Sequence, residues 1–250
     1  MIDKHSNGRD LFSLRALVIG GTGGIGAAVA RLLAGAGVST VVHGRSAKRL
    51  DAALEALRSS GHAAEAIACD LSAGEPSPEL VSAARGADIL VVAYGPFVTK
   101  PLADTGLEDW RTVALGDLAL PGYLSSTAAV AMARRGFGRI LLFGGTRTDA
   151  IRGFRMNAAY AAAKTGIGVL VKSLAAEFGP RGVSAAAICP GFVDTEYLDA
   201  GTRRTLEAAS PRGRLIPVGD VAALAFQLLT GGMDLANGAV ITADGGLHAL

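Results

Sequence analysis

The chain has 250 residues, of which 50% are hydrophobic, 18% are charged and 34 are glycine, and its formal charge at neutral pH is +2. That length buries a substantial core, while the small charge and the absence of a Lys/Arg run exclude a nucleic-acid-binding surface. A polar start, "MIDKHSNGRD", and the lack of any uninterrupted apolar run long enough to cross a bilayer point to a soluble, cytoplasmic protein with no membrane partner.

Apolar runs rich in Val, Ile and Leu alternate with longer segments of helical period. "RALVIG" is the first strand; it breaks into the glycine-rich turn Gly20 to Gly26 and resumes as a small-residue helix. "STVVHG" is the second strand and leads into "SAKRLDAALEALRSSG", a helix closed by a glycine. "AAEAIACD", "ADILVVAYG", "GRILLFGG", "VSAAAICPG" and "GAVITADGG" continue the strands to seven, with helices between them. Strict alternation of this kind predicts one doubly wound α/β domain over residues 1–250, a Rossmann fold with a seven-stranded parallel sheet and helices on both faces. Cys69 and Cys189 end apolar runs and read as buried free thiols, and His5, His43, His62 and His248 lack the spacing of a metal site.

Ligands of such sheets sit at the carboxyl ends of the strands. The candidate positions are therefore Gly20 to Gly26, Gly44 to Ser46, Asp70, Tyr94 to Phe97, Gly144 to Thr148 and Pro190 to Thr195. A glycine turn that opens a helix brings backbone N–H groups and a positive dipole end against a phosphate, so the first strand marks a dinucleotide site. The glycines allow three registers, Gly20-xxx-Gly24-x-Gly26, Gly20-xx-Gly23-xx-Gly26 and Gly21-x-Gly23-xx-Gly26. Behind the fifth strand, Tyr160 and Lys164 lie four apart and share a helical face. A tyrosine must lose about three pK units to shuttle protons at neutral pH, worth on the order of 4 kcal/mol, and a nearby ammonium with a cationic nicotinamide supplies that.

Four motifs in order carry a resemblance. Gly20-xxx-Gly24-Ile25-Gly26, Tyr160-xxx-Lys164, Pro190-Gly191-xxx-Thr195 and the final "NGAVITADGG" together resemble the classical short-chain dehydrogenase/reductases, over about Leu14 to Leu247. The resemblance implies an oxidoreductase that interconverts a ketone and a secondary alcohol, similar to 3-oxoacyl carrier-protein reductases, with a 3-oxoacyl thioester among the substrates. It implies cofactor contacts from Gly20, Gly24, Ile25 and Gly26, from Val193 and Thr195, and from Tyr160 and Lys164. It also implies that Asp70 meets the adenine and Gly95 the adenosine ribose, although Asp70 equally suits a cap on the next turn. The second strand ends in Gly44, Arg45 and Ser46 with no acid before Asp51, which favours NADP(H) over NAD through a contact from Arg45 to the 2′-phosphate. The family typically forms homotetramers.

Three departures stand out. The family's Asn-Asn-Ala-Gly is here Val92-Ala93-Tyr94-Gly95; the Asn of its proton relay falls on Asp117; and its catalytic Ser has no counterpart, since no serine occurs between Gly138 and Tyr160. Strand alignment puts Gly145 at the Ser position, and counting back from Tyr160 puts Arg147 there. Thr146, favoured, and Thr148 offer hydroxyls on that loop. An ionised Asp117 would partly cancel the field of Lys164 on Tyr160. The loop "TRTDAIRGFRMN" carries Arg147, Arg152 and Arg155, which suit an anionic substrate if they border the pocket and plain solvation if they do not. The segment from Phe192 to Arg214 reads as a lid. The catalytic set is thus Tyr160, Lys164, Thr146 and Asp117. The competing reading, motivated by the missing Ser and Asn, is a weakly catalytic NADP-binding sensor or the inactive subunit of a mixed oligomer.

Overall fold

The computed structural model describes residues 5–6, 9–59 and 61–248. Seven strands form the main sheet: β1 (Arg15–Ile19), β2 (Ser39–Gly44), β3 (Ala64–Ala68), β4 (Ile89–Val92), β5 (Gly138–Phe143), β6 (Val183–Pro190) and β7 (Val240–Ala243). All are parallel, in the spatial order β7-β6-β5-β4-β1-β2-β3. Each strand coincides with one of the seven apolar runs. The order reverses direction beside β1 and β4, and the crevice that opens there at the carboxyl ends is where such sheets bind ligands.

Both faces of β1 are buried, which explains why its sequence does not alternate with polar residues. Ala16 and Val18 face one core with α1 (Gly24–Gly35) and α8 (Val218–Gln227). Leu17 and Ile19 face a second core with α3 (Pro78–Gly86), α5 (Leu120–Arg135) and α6 (Ala158–Phe178). The helix α2 (Ala47–Arg58) starts at a Ser46 cap, as its sequence predicts; Ser60, in its predicted last turn, lies outside the described residues.

The helical stretch that follows β4 contains one wide turn. α4 (Leu107–Ala114) passes into a π-helical turn over Leu115–Ala119 before α5 begins beside Pro121. Such a turn inserts an extra residue per circuit and reorients the side chains within it. Here it carries Asp117 into the interior. The lid segment holds α7 (Ala200–Ala209), and a short parallel pair joins Val193–Asp194 to Ile216–Pro217 at its two ends. Among the described residues no helix is long and apolar enough to cross a membrane.

Gly26 is buried where α1 leans on the turn that follows β1; a Cβ there would collide with the Gly20 carbonyl oxygen and lie 3.2 Å from the Ala93 Cβ. Gly26→Ala therefore forces α1 away from β1, at an overpacking cost of about 1–3 kcal/mol. Thermal unfolding should show a melting temperature lowered by about 2–4 °C per kcal/mol lost. An unchanged melting temperature would show that this close approach is not needed.

Candidate active site

A single cleft of about 1180 Å³ runs along the carboxyl ends of β1, β2, β4, β5 and β6. At one end it is lined by Arg45, Ser46 and Arg49; at its centre by Gly20, Gly24 and Ile25 at the start of α1; and at the other end by Tyr160 and Lys164. Gly95, Val193 and Thr195 line it as well. Two expected contacts are not on its wall. Gly26 is withdrawn beneath the turn, where it serves helix packing instead. Asp70 turns its carboxylate to the next turn, accepting from Ser72 N at 3.0 Å and Ser72 Oγ at 2.7 Å, and the Ser72 hydroxyl beside it holds its pKa below the ordinary carboxylate value. The neighbours Cys69 and Ser72 reach the cleft in its place.

Three residues in or beside this cleft have no motif to announce them. His43 is buried at the end of β2; its Nε2 lies 2.9 Å from the Cys69 carbonyl, and its Nδ1 accepts from Gly20 N at 3.4 Å. Burial lowers its pKa, so it ties three strand ends together as a neutral imidazole. The other two lie on the lid: Glu196 accepts from Gly24 N at 2.9 Å, and the Tyr197 ring lies 5.6 Å from the Arg49 guanidinium. Only their place directly after Thr195 hints that they return to the glycine turn.

At the reaction end, Tyr160 lies one turn before Lys164 on α6, half-buried, with its ring edge-on to Phe97 at 4.9 Å. Lys164 is buried and donates to the Phe143 carbonyl at 3.1 Å. Its Nζ is 3.0 Å from Asp117 Oδ1, an ion-pair contact outside hydrogen-bond direction, and neither Asp117 oxygen receives a hydrogen bond. A fully buried carboxylate is costly even beside a cation. Burial accordingly pushes the Asp117 pKa up to about 6, with Lys164 opposing. Gly95 makes room for the pair, since a Cβ there would collide with the Asp117 carboxylate and sit 3.1 Å from Lys164 Nζ.

The expected depression of the Tyr160 phenol is absent from this geometry. Burial, followed by the charge of Asp117, raises its pKa above the ordinary tyrosine value. The Lys164 ammonium is engaged by Asp117 and Phe143, and lies 5.9 Å from the ring centre.

The loop after β5 places Gly145, not a hydroxyl, against Tyr160: a Cβ on Gly145 would sit 2.9 Å from the phenol oxygen. Thr148 is buried and off the cleft; its Oγ1 accepts from Gly145 N at 2.8 Å and donates to the Gly145 carbonyl at 3.0 Å. Thr146, expected to polarise a carbonyl, lines the cleft but donates its proton to the Gly191 carbonyl at 3.2 Å. Arg147 takes the left-handed conformation, φ 65°, within the turn closed by Thr148 N and the Gly145 carbonyl, a local strain of about 1–2 kcal/mol. None of Arg147, Arg152 and Arg155 lines the cleft, and Arg152 pairs with Asp149 at 2.6 Å. The anionic-substrate reading of that loop loses its basis.

Comparison with known proteins finds related reductases and dehydrogenases. A family model described as "Enoyl-(Acyl carrier protein) reductase" matches residues 20–248. The chain is 36% identical over 190 residues to the short-chain reductase protein NovJ of Streptomyces niveus, covering 74% of this chain and 71% of that one. It is 33% identical over 247 residues to the cis-4-hydroxycyclohexanecarboxylate dehydrogenase of Sinomonas cyclohexanicum, covering 94% and 96%. Among solved structures, a 3-oxoacyl (acyl-carrier-protein) reductase from Agrobacterium tumefaciens C58 with NADP bound superposes with a TM-score of 0.86 at 26% identity, over 94% of this chain and 95% of that one.

The raised Asp117 pKa has a consequence for stability. The folded protein holds this proton more tightly than the unfolded chain, so stabilisation present below about pH 4 is lost as pH rises through about 6. The loss is on the order of 2–3 kcal/mol. Asp117→Asn lacks that proton. Denaturant unfolding of both proteins between pH 4.5 and 7.5 should show the variant gaining stability relative to the parent as pH rises, and a pH-independent difference would contradict the assignment.

Proposed function

The chain belongs to the short-chain dehydrogenase/reductase family, oxidoreductases of alcohol and ketone groups, and from that premise we propose that it is an NADP(H)-dependent ketone reductase, acting in reverse as a secondary-alcohol dehydrogenase. The observation that carries this reading is one continuous cleft joining the Arg45 and Arg49 guanidinium groups to the Tyr160 phenol. On this reading a dinucleotide with a 2′-phosphate would occupy it lengthwise. Its adenosine end would lie between Arg45, Ser46 and Arg49, its pyrophosphate at the N–H groups of α1 once the Glu196 carboxylate leaves Gly24 N, and its nicotinamide end beside Val193, Thr195 and Lys164. No acid lies between Ser39 and Gly44 or on the Arg45-Ser46 turn to compete for ribose hydroxyls. The NADP-bound Agrobacterium reductase supports the same preference.

When bound, this cofactor supplies the hydride that goes to the carbonyl carbon. Tyr160 supplies the proton from its Oη to the carbonyl oxygen, and a phenol held above its ordinary pKa keeps that proton until the oxygen becomes basic. Lys164, anchored by Phe143 and Asp117, would hold the ribose. Thr146 acts through Gly191, fixing the loop that carries Val193 and Thr195.

The reaction end suits a neutral ketone with an apolar body. Phe97, Phe192, Leu198 and Leu206 line it together with Thr99, Thr112 and Thr202, and Lys164 is the charged side chain at that end. A 3-oxoacyl thioester presents its keto group on an apolar chain and belongs in the same test. A homotetramer remains the expected assembly.

Fluorescence titration with NADPH and NADH, followed by oxidation of bound NADPH with 2,2,2-trifluoroacetophenone, cyclohexanone and an acetoacetyl N-acetylcysteamine thioester, tests the reading. NADPH should bind tighter than NADH, and Arg45→Ala should reduce that preference by about tenfold to a hundredfold. Tyr160→Phe should bind NADPH unchanged and lose about a hundredfold or more in turnover. Tight binding with no oxidation by any of the three ketones would overturn the reductase in favour of a cofactor-binding sensor or partner subunit.

A further inference from the structure

The loop after β5 leaves a vacancy in chemistry: with Gly145 beside Tyr160, Thr148 buried and Thr146 bonded to Gly191, no hydroxyl of that loop has a proton free for a substrate carbonyl. We propose that the side-chain amide of Asn157 orients the substrate carbonyl, in partnership with the Tyr160 phenol. This rests on the ketone-reductase reading and adds to it a catalytic residue.

Asn157 is the N-cap of α6, three residues before Tyr160, and both side chains line the cleft. Asparagine is favoured at an N-cap because its side-chain oxygen accepts from the first-turn N–H groups. Asn157 makes no such bond, and among the described residues no other hydrogen bond to its amide is found. Its backbone conformation, φ −149° and ψ 39°, holds the side chain out of capping position. A half-buried amide facing a cleft has two N–H donors to offer, and the phenol lines the same cleft. One donor to a carbonyl oxygen strengthens as that oxygen gains negative charge during hydride arrival. A side chain at position 145 would meet the Tyr160 ring, since a Cβ there sits 2.8 Å from its Cε1.

The test is steady-state reduction of 2,2,2-trifluoroacetophenone by NADPH with Asn157→Ala, Asn157→Asp and Tyr160→Phe, alongside NADPH titration and thermal unfolding. Asn157→Ala should lower kcat/KM by about a hundredfold while leaving NADPH affinity and melting temperature unchanged, because no cap bond is removed. Asn157→Asp should fall at least as far, since a carboxylate repels the developing alkoxide. If Tyr160→Phe is inactive and Asn157→Ala keeps kcat/KM within about threefold of the parent, the Asn157 role is overturned and the reductase stands. If Asn157→Ala loses activity only in step with a lowered melting temperature, the residue is structural and the role is again overturned. If the parent does not oxidise NADPH with this ketone or with cyclohexanone, the reductase reading falls and takes this inference with it.

Discussion

The buried contact between Asp117 and Lys164 is the constraint on which the reaction end depends. Lys164 comes from α6, Asp117 from the π turn between α4 and α5, and the ammonium also donates to Phe143 at the end of β5. Gly95, at the end of β4, completes the enclosure by presenting no side chain to the pair. Two helical segments and two strand ends are thereby fixed around one ammonium. The energetics are those of burial prevailing over attraction, because the carboxylate has a single off-line cation and no hydrogen bond. Asp117 therefore ionises about two units higher than usual, and its charge adds to the burial that raises the Tyr160 phenol. A neutral amide at this position would hold the helix turn without opposing the ammonium; the acid makes the site sensitive to pH near 6 instead.

The rest of the cleft follows from the parallel sheet. Its strands end together on one side, so residues far apart in the chain, from Arg45 to Thr195, meet along one groove. The charged rim at Arg45 and Arg49 and the apolar wall at Phe97, Phe192 and Leu206 give it two chemically different ends, which the proposed reading assigns to nucleotide and ketone. The lid segment returns across the middle, with Glu196 on Gly24 and Tyr197 beside Arg49, so the groove is strapped to the start of α1 rather than left open along its length.

The strands and the site's frame were legible because both depend on local pattern. A strand buried on two faces must be apolar throughout, as β1 and β5 are, and Tyr160 and Lys164 fall on one face whatever surrounds them. What could not be read depends on where protons are spent. Thr146 and Thr148 look alike in the sequence, yet one is bonded to Gly191 and the other to the backbone of Gly145. Asp70 reads equally as an adenine contact or a cap, and its Oδ1 makes the cap, with bonds to Ser72 N and Oγ. Gly26 belongs to the glycine motif, but its task is helix packing. Asn157 opens α6 without a cap bond, a property of the fold that no motif marks.

The central claim is that an ionised Asp117 opposes proton transfer at Tyr160. The most direct measurement is the pH profile of alcohol oxidation, in which Tyr160 must accept a proton, for the parent and for Asp117→Asn with NADP and 1-phenyl-2,2,2-trifluoroethanol. Asparagine removes a charge that raises the phenol pKa, so the oxidation limb should move to lower pH and the inflection near 6 should disappear. Superimposable profiles, or a limb displaced to higher pH, would contradict the account.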